Sequence, residues 1–399
     1  MTSRLLVVVQ IAAVSGVLLS DSWSRSEAAD VPGGRLRERV ATSIDRGCNW
    51  LIDHQNPDGS YGRFPDVGIT AFAIEALARS PRAYREQHGP AISKAVEYLL
   101  ANRHPDGSIF NEGQALQNYK TSMAILALVA LDSGRAEPRY AKEIEAAKRY
   151  VMGLQCSEES TPAPFDAQQN PAAYGGIGYG SSRKPDLSNT QIALDALHAV
   201  GLAEDAAVLQ RARLFLTRCQ NAAQNDFLDG KERVSTGDGG FIYSPDESKA
   251  GVVQNADGTT SFRSYGSMTY AGLKSYIYAG LTAEDPRVQA ALGWISNHFT
   301  VDENPGMAIP EHPERGQMGL YYYYVVMART FEALGQSSLK DKDGKEIFWA
   351  NQLATKLLAL QAEDGSWQNP VDRWWESDQT LVTAYAIRAL TIASKYLKD

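Results

Sequence analysis

The sequence predicts an all-α fold, an (α/α)6 toroid of six helix pairs closed into a ring, on three observations. A unit recurs about six times: a helix-period apolar segment, a polar turn with Asp-Gly, an aromatic, then a second helix. Gln361-Ala362-Glu363-Asp364-Gly365-Ser366-Trp367 is its clearest turn. Within each pair the first helix has a charged face, while the second is apolar almost all round and rich in small residues, as in AFAIEALA (71–78) and MAILALVAL (123–131). A helix with one wet face lies outside, and one apolar on most sides is enclosed by neighbours. Third, the long insertions, 156–187, 220–264 and 300–316, all lie between a first and a second helix, whereas the return links near Pro81, Ser133, Gly201 and Gly280 are short. The long loops therefore collect at one rim, where the inner helices start, and one-sided insertions in a repeat architecture mark a binding face.

Taken in order, the first outer helix runs from Leu36 to His54 with Val40, Ile44, Cys48, Leu51 and Ile52 on one side. Gln55-Asn56-Pro57-Asp58-Gly59-Ser60-Tyr61 turns the chain into an inner helix over Gly68 to Ala78. The second pair is Ile92 to Leu100 and Thr121 to Leu131, joined through Pro105 to Phe110. The third is Ile144 to Leu154 and Ser188 to Val200, the fourth Leu209 to Cys219 and Ser267 to Ala279. The fifth is Val288 to Phe299 and Met318 to Leu334, and the sixth runs from Leu353 through the 361–367 turn to a helix over Thr380 to Tyr396. The Asp-Gly pairs at 257–258 and 343–344 read as further turns. Six inner-helix N-termini meet at the loop-rich rim, and their free N–H groups suit an anionic or oxygen-rich ligand.

Arg4, the apolar run Leu5 to Leu19 and the small residues of Ser26-Glu27-Ala28 read as a secretory signal over 1–28, cut near Ala28 or Ala29. Residues 29–399 are then one exported toroid domain, periplasmic or extracellular, with no later transmembrane run. The net charge of −8 comes with no basic stripe, which excludes a nucleic-acid partner. Of three cysteines, Cys48 sits in an apolar helix, while Cys156 and Cys219 close successive outer helices and invite a disulfide.

Glutamine, then Asp-Gly-Ser-Trp after an outer helix and before an inner one, resembles the QW repeat of squalene and hopene cyclases. The broader resemblance is to the prenyltransferase and squalene-cyclase repeat superfamily, from about residue 36 to the C-terminus. Gln361/Gly365/Trp367 matches fully, Gln55/Gly59/Tyr61 closely and Gly107/Phe110 more loosely. In that family the motif is structural, so the resemblance implies a terpenoid-cyclase-like toroid. It also implies an Asp-x-Asp-Asp acid, and this chain has none. Asp186-Leu187-Ser188-Asn189-Thr190 keeps one aspartate, and Glu376-Ser377-Asp378-Gln379-Thr380 keeps two carboxylates at a comparable place. The zinc set of protein prenyltransferases and the Gly-Cys-Gly-Glu-Gln thioester motif are also missing, and no metal or cofactor is implied.

Asp66, Asp186 and Asp378 recur just before inner helices. They read either as acids around a ligand mouth or as N-terminal charges that complement helix dipoles. Four consecutive tyrosines, Tyr321 to Tyr324, span most of a helix circumference, so one should face the central cavity and another a neighbouring helix. With Tyr119, Tyr265, Tyr270, Trp374 and Trp375 they suit either an aromatic pocket or core packing. His312, between Pro310 and Pro313, is a loop histidine. Candidate ligand-binding residues are thus Asp66, Tyr119, Tyr265, Tyr322, Trp374 and Trp375. Three functions follow. The first is binding of an apolar or isoprenoid-like molecule, or of a protein partner, at the rim. The second is a terpene-cyclase-like isomerase or lyase with Asp378, Glu376 and Asp186 as catalytic candidates. The third is a carbohydrate-active enzyme with aromatic platforms and paired carboxylates.

Overall fold

The structure is a computed structural model, and it describes residues 35–204, 206–222, 225–228 and 233–398. The leader expected over 1–28 lies outside the described residues. Among these are twelve α-helices in six pairs: α1 (Leu36–Asp53) and α2 (Val67–Arg79), α3 (Pro90–Ala101) and α4 (Gln117–Asp132), α5 (Ala141–Gly153) and α6 (Leu187–Ala199). The ring continues with α7 (Ala207–Arg218) and α8 (Gly266–Tyr278), α9 (Pro286–His298) and α10 (Leu320–Leu334), α11 (Trp349–Leu360) and α12 (Gln379–Ala393). The even helices pack in cyclic order α2–α4–α6–α8–α10–α12 and back to α2, while odd helices lie outside them. The all-α toroid expected from the repeat is the architecture found.

The recurrent turn has a recurrent geometry. Gln55, Gln155, Gln220 and Gln361 each donate through Nε2 to the carbonyl of their own turn glycine and to a carbonyl of the next outer helix: Ala91, Val208, Arg287 and Ser43 respectively, at 2.7–2.9 Å. Since Ser43 belongs to α1, the last of these bonds fastens the sixth pair to the first. Glycine is required in the turn for two reasons. At Gly175 φ is +87°, and a Cβ there would stand 2.0 Å from the Arg211 carbonyl oxygen; Gly59, Gly107, Gly239 and Gly365 meet the same kind of obstruction. After the turn, the N–H of Tyr61, Ile109, Ile177, Phe241 or Trp367 donates at 2.9–3.1 Å to a threonine hydroxyl one turn into the following inner helix: Thr70, Thr121, Thr190, Thr269 or Thr383. That threonine is as regular as the glutamine, and the sequence reading passed over it.

Several boundaries move. α4 starts at Gln117, four residues before the expected Thr121, so it carries Tyr119 and Lys120 inside the ring. α12 ends at Ala393. The 220–264 insertion holds a small sheet of β1 (Arg233–Val234), β2 (Val252–Gln254) and β3 (Thr260–Phe262), with β2 and β3 turning at Asp257-Gly258. A second hairpin, β4 (Leu339–Lys340) with β5 (Glu346–Ile347), turns at Asp343-Gly344. Cys156 and Cys219 are not bridged: all three cysteines are free and buried, and Cys156 Sγ contacts the Arg183 carbonyl at 3.3 Å. No helix among the described residues is long and apolar enough to cross a membrane.

Candidate functional site

The first two turns of the inner helices surround a cavity of about 430 Å3 that reaches solvent at the loop-rich rim. Ile69 and Phe72 of α2, Tyr119 and Lys120 of α4, Ser188 and Asn189 of α6, Ser267 and Met268 of α8, Tyr322 of α10, and Leu381 and Tyr385 of α12 form its wall. Insertions add Tyr179 and Tyr243, while Trp374 and Trp375 stand at the mouth. Of the six residues expected to bind ligand, Asp66, Tyr119, Tyr265, Tyr322, Trp374 and Trp375, all line this one cavity. Sequence reading missed Lys120, Lys249 and Arg373, the three cations on its lining. Lys120 was hidden by the late start assigned to α4, and the other two lie in loops without a periodic signal.

The tyrosine run divides as helical geometry demands. Tyr322 faces the cavity, its hydroxyl 3.1 Å from Gln191 Nε2 and 3.3 Å from Ser188 Oγ. Tyr323 and Tyr324 turn outward and donate to the carbonyls of Thr300 and Val301 at 2.8 and 2.6 Å. Tyr321 is buried against Tyr324. Deeper in the cavity wall, Phe72 meets Tyr385 edge-on with ring centroids 4.7 Å apart.

The rim acids are occupied as helix caps. Asp66 Oδ1 accepts from Ile69 N at 3.0 Å, Asp186 Oδ1 from Asn189 N at 2.7 Å, and Asp378 Oδ1 from Thr380 N and Leu381 N at 3.0 and 3.1 Å. Glu376, from a loop, accepts from Tyr322 N at 2.7 Å and Tyr321 N at 3.2 Å, and so caps α10, which follows a glycine. Asn304 serves α8 in the same way through Ser267 N. The inner N-termini expected to be free for an anion are therefore largely satisfied by the protein itself. Burial drives Glu376 up to about 7 against the pull of its hydrogen bonds from Tyr322, Asn369 and Tyr321. Burial likewise raises Asp186, partly offset by bonds from Asn189 and from Tyr243, whose hydroxyl lies 2.8 Å from Asp186 Oδ2 and 2.6 Å from the Tyr179 hydroxyl.

None of Asp378, Glu376 and Asp186 is among the cavity-lining residues; Asp186 touches the lining through its bonds from Asn189 and Tyr243. The one carboxylate on the described lining is Asp66, and Lys120 Nζ holds it at 2.6 Å. Among the described residues, the cavity lining does not bring together two facing carboxylates of the kind that hydrolyse a glycosidic bond. His312 is exposed and lies beside Glu314 on the surface.

Below the cavity lies a layer of buried charge that sequence reading also missed. Glu75, Asp195, Lys274, Arg329 and Arg388 come from five inner helices, each eight or nine residues past its helix start. At 1.5 Å per residue the layer sits roughly 12–14 Å below the rim. Arg329 bridges Glu75 at 2.6 Å and Asp195 at 3.0 Å, and Lys274 Nζ lies 2.6 Å from Asp195. Arg79 and Arg388 reach Glu75 at 3.2 and 3.5 Å. The signal was present: one charge at a common depth in otherwise apolar helices.

No family model matches the chain. A curated relative, drimenyl diphosphate synthase from Streptomyces showdoensis, is 24% identical over 238 residues, which are 58% of this chain and 38% of that one. The match thus spans well under half of the synthase. Among solved structures, type II terpene cyclase MstE from Scytonema aligns over 91% of this chain and 100% of its own, with TM-score 0.51 and 17% identity. A D-mannose isomerase aligns over 92% of this chain and 100% of its own, with TM-score 0.55 and 10% identity. A GH76 α-mannanase from Bacteroides thetaiotaomicron aligns over 89% and 96%, with TM-score 0.53 and 8% identity. Likeness at these identities speaks for architecture, which sugar enzymes and terpene cyclases share. By fold, the chain is an α/α toroid, the architecture of the terpene cyclase and of both sugar enzymes.

Proposed function

We propose that this protein binds one apolar, isoprenoid-like molecule in the aromatic cavity, with the polar end of the ligand at the rim beside Lys120, Lys249 and Arg373. The carrying observation is the cavity itself: about 430 Å3, walled by Phe72, Tyr119, Tyr265, Tyr322, Leu381 and Tyr385, and open at one end. That volume lies within the roughly 300–1,000 Å3 of small-molecule sites, whose walls are mostly apolar with a few placed polar groups. The similarity to drimenyl diphosphate synthase supports an isoprenoid over other apolar ligands. Binding is favoured over cyclisation because protonating an alkene needs an acid whose proton faces the ligand. Asp66 is ion-paired with Lys120, and the other candidate acids serve as caps.

In this reading the chain acts after export, which N-terminal sequencing of the mature protein tests: a start near Ala29 agrees, and an intact Met1 does not. The ligand is tested by solvent extraction and mass spectrometry of purified wild type and of Leu381→Trp, whose indole would fill the cavity. Recovery of an apolar terpenoid from wild type and its loss from the variant is the expected result. Equal recovery from both, or none from wild type loaded with polyprenyl lipids, would sink the proposal.

A further inference from the structure

We propose that the charged layer below the cavity binds one small monovalent anion, of the size and charge of a halide, among the guanidinium groups of Arg388, Arg329 and Arg79. The buried residues of the layer are three cations, Lys274, Arg329 and Arg388, and two carboxylates, Glu75 and Asp195. Arg79, one turn past Glu75 on α2 and with its side chain 33% exposed, adds a fourth cation at 3.2 Å from Glu75. Asp195 is matched by Lys274 and Arg329 at 2.6 and 3.0 Å. Glu75 is left with Arg329, Arg79 and Arg388 around one carboxylate. The next acid that Arg388 senses is Glu332, and Lys395 holds that one at 2.6 Å. A buried cation in excess of its carboxylates is costly unless a counter-ion joins it.

The hydrogen bonds show the same imbalance. Nε of Arg79, Arg329 and Arg388 and the hydroxyl of Thr391 are buried without a partner among the described residues. Thr391 lies three residues past Arg388 on α12, so the two share a helix face. Arg388 is 5% exposed and makes no hydrogen bond among the described residues. Its ion pair is a 3.5 Å approach to Glu75 Oε1, the oxygen that Arg79 also meets. Burial draws the Arg388 pKa down to about 10, with Glu75 opposing and Arg329 and Arg79 adding repulsion, so the surplus charge is concentrated there. Arginine only donates, and a cluster of unmatched donors calls for an acceptor. Water would accept but leave the charge; an anion answers both. A guanidinium is more weakly hydrated than an ammonium, so an anion that sheds its water readily is the better match. Arg329 and Arg388 keep 7% and 5% of their surface, enough for a water-sized sphere to touch them. A halide is close to that size, whereas phosphate is larger and carries more charge than the buried layer leaves over. Arg79 closes α2 at the rim opposite the cavity, and its part-exposed side chain marks the way in.

The test is thermal unfolding of the full-length mature protein in sodium chloride, bromide or gluconate at one ionic strength, so that general screening is constant. Chloride and bromide should raise Tm saturably, by about 3 °C or more at a hundredfold excess over the dissociation constant. Gluconate, too large to enter the ring, should not. Arg388→Met removes the surplus charge, so its Tm should no longer respond to halide. In gluconate that variant should equal or exceed wild type, which the loss of a merely structural arginine would not give. Arg79→Gln, at a part-exposed position, should weaken the halide response and is the check if Arg388→Met misfolds. Crystals grown in bromide should show its anomalous signal in contact with the Arg388 guanidinium. The same Tm in chloride and gluconate overturns the proposal. So does a halide response that both variants keep, or bromide found on the outer surface alone, an adventitious ion only.

Discussion

Removing the Glu75 carboxylate probes the charged layer directly. Glu75 is 1% exposed and faces Arg329, Arg79 and Arg388 at 2.6, 3.2 and 3.5 Å. Burial alone would raise its pKa, but Arg329, Arg388 and Arg79 outweigh burial and hold it at about 2. Against an ordinary glutamate near 4.5, at about 1.4 kcal/mol per unit, the ionised form is favoured in the fold by roughly 3 kcal/mol. Removing one partner of a buried ion pair independently costs about 3–5 kcal/mol. Glu75→Gln should therefore lower unfolding free energy at pH 7 by about 3 kcal/mol, read from urea midpoints at unchanged m-value. The sign with pH follows from a depressed acid: its contribution is present above pH 4.5 and is lost as pH falls through 2. Wild type should weaken across that window, and Glu75→Gln should lack that part of the acid loss. A variant within about 1 kcal/mol of wild type, or with a parallel acid profile, would refute the account. Lys356→Ala is the control, since its pair with Asp302 is solvent-exposed and worth under about 1 kcal/mol.

Other outcomes follow from the same geometry. Gly175→Ala should cost at least about 3 kcal/mol, because a Cβ would strike the Arg211 carbonyl, whereas Gly134→Ala, at a similar φ of +79° in open space, should cost about 1 kcal/mol; equal costs in urea titration would remove the steric argument. Gln361→Ala leaves the Ser43 and Gly365 carbonyls without their side-chain donor and should cost about 2 kcal/mol, with faster proteolysis within α1 as the readout of an opened ring. Burial lowers Lys274 to about 8, with Asp195 pulling the other way. Its contribution is thus present above the ordinary lysine range and lost as pH falls through 8. Lys274→Met should flatten the change in denaturation midpoint between pH 8 and 10.5, and an unchanged slope there would contradict the assignment.

The ring was legible because it rests on local chemistry repeated many times. Glutamine, glycine and the aromatic each answer a constraint set within a few residues, so period alone exposed the six pairs. The cavity was half legible. Tyr322 could be placed by helical angle, and Trp374 and Trp375 by their position before the last inner helix. Lys249 and Arg373 come from loops whose path depends on contacts distant in sequence, such as the Arg315 bond to the Lys249 carbonyl. The rim acids illustrate the opposite limit. Asp66, Asp186 and Asp378 fit both a helix N-terminal role and a ligand site in sequence, and their hydrogen bonds show what they hold.

Those caps also determine where selectivity can reside. A carboxylate at the start of α2, α6, α10 or α12 neutralises the field that would otherwise draw an anionic group into the ring. α4 differs: it follows Leu116 in a left-handed conformation, has no side-chain cap, and instead gives Asn118 N to the Tyr179 carbonyl at 3.0 Å. The same helix carries Tyr119 and Lys120 into the cavity. A polar ligand end should therefore settle against α4 rather than on the ring axis. Its apolar end can descend no further than Tyr385, because the layer of Glu75, Asp195, Lys274, Arg329 and Arg388 lies below, and burying hydrocarbon against paired ions gains little. Specificity is thereby confined to two helical turns and the loops above them, and both can change without disturbing the glutamine, glycine and threonine that close the ring.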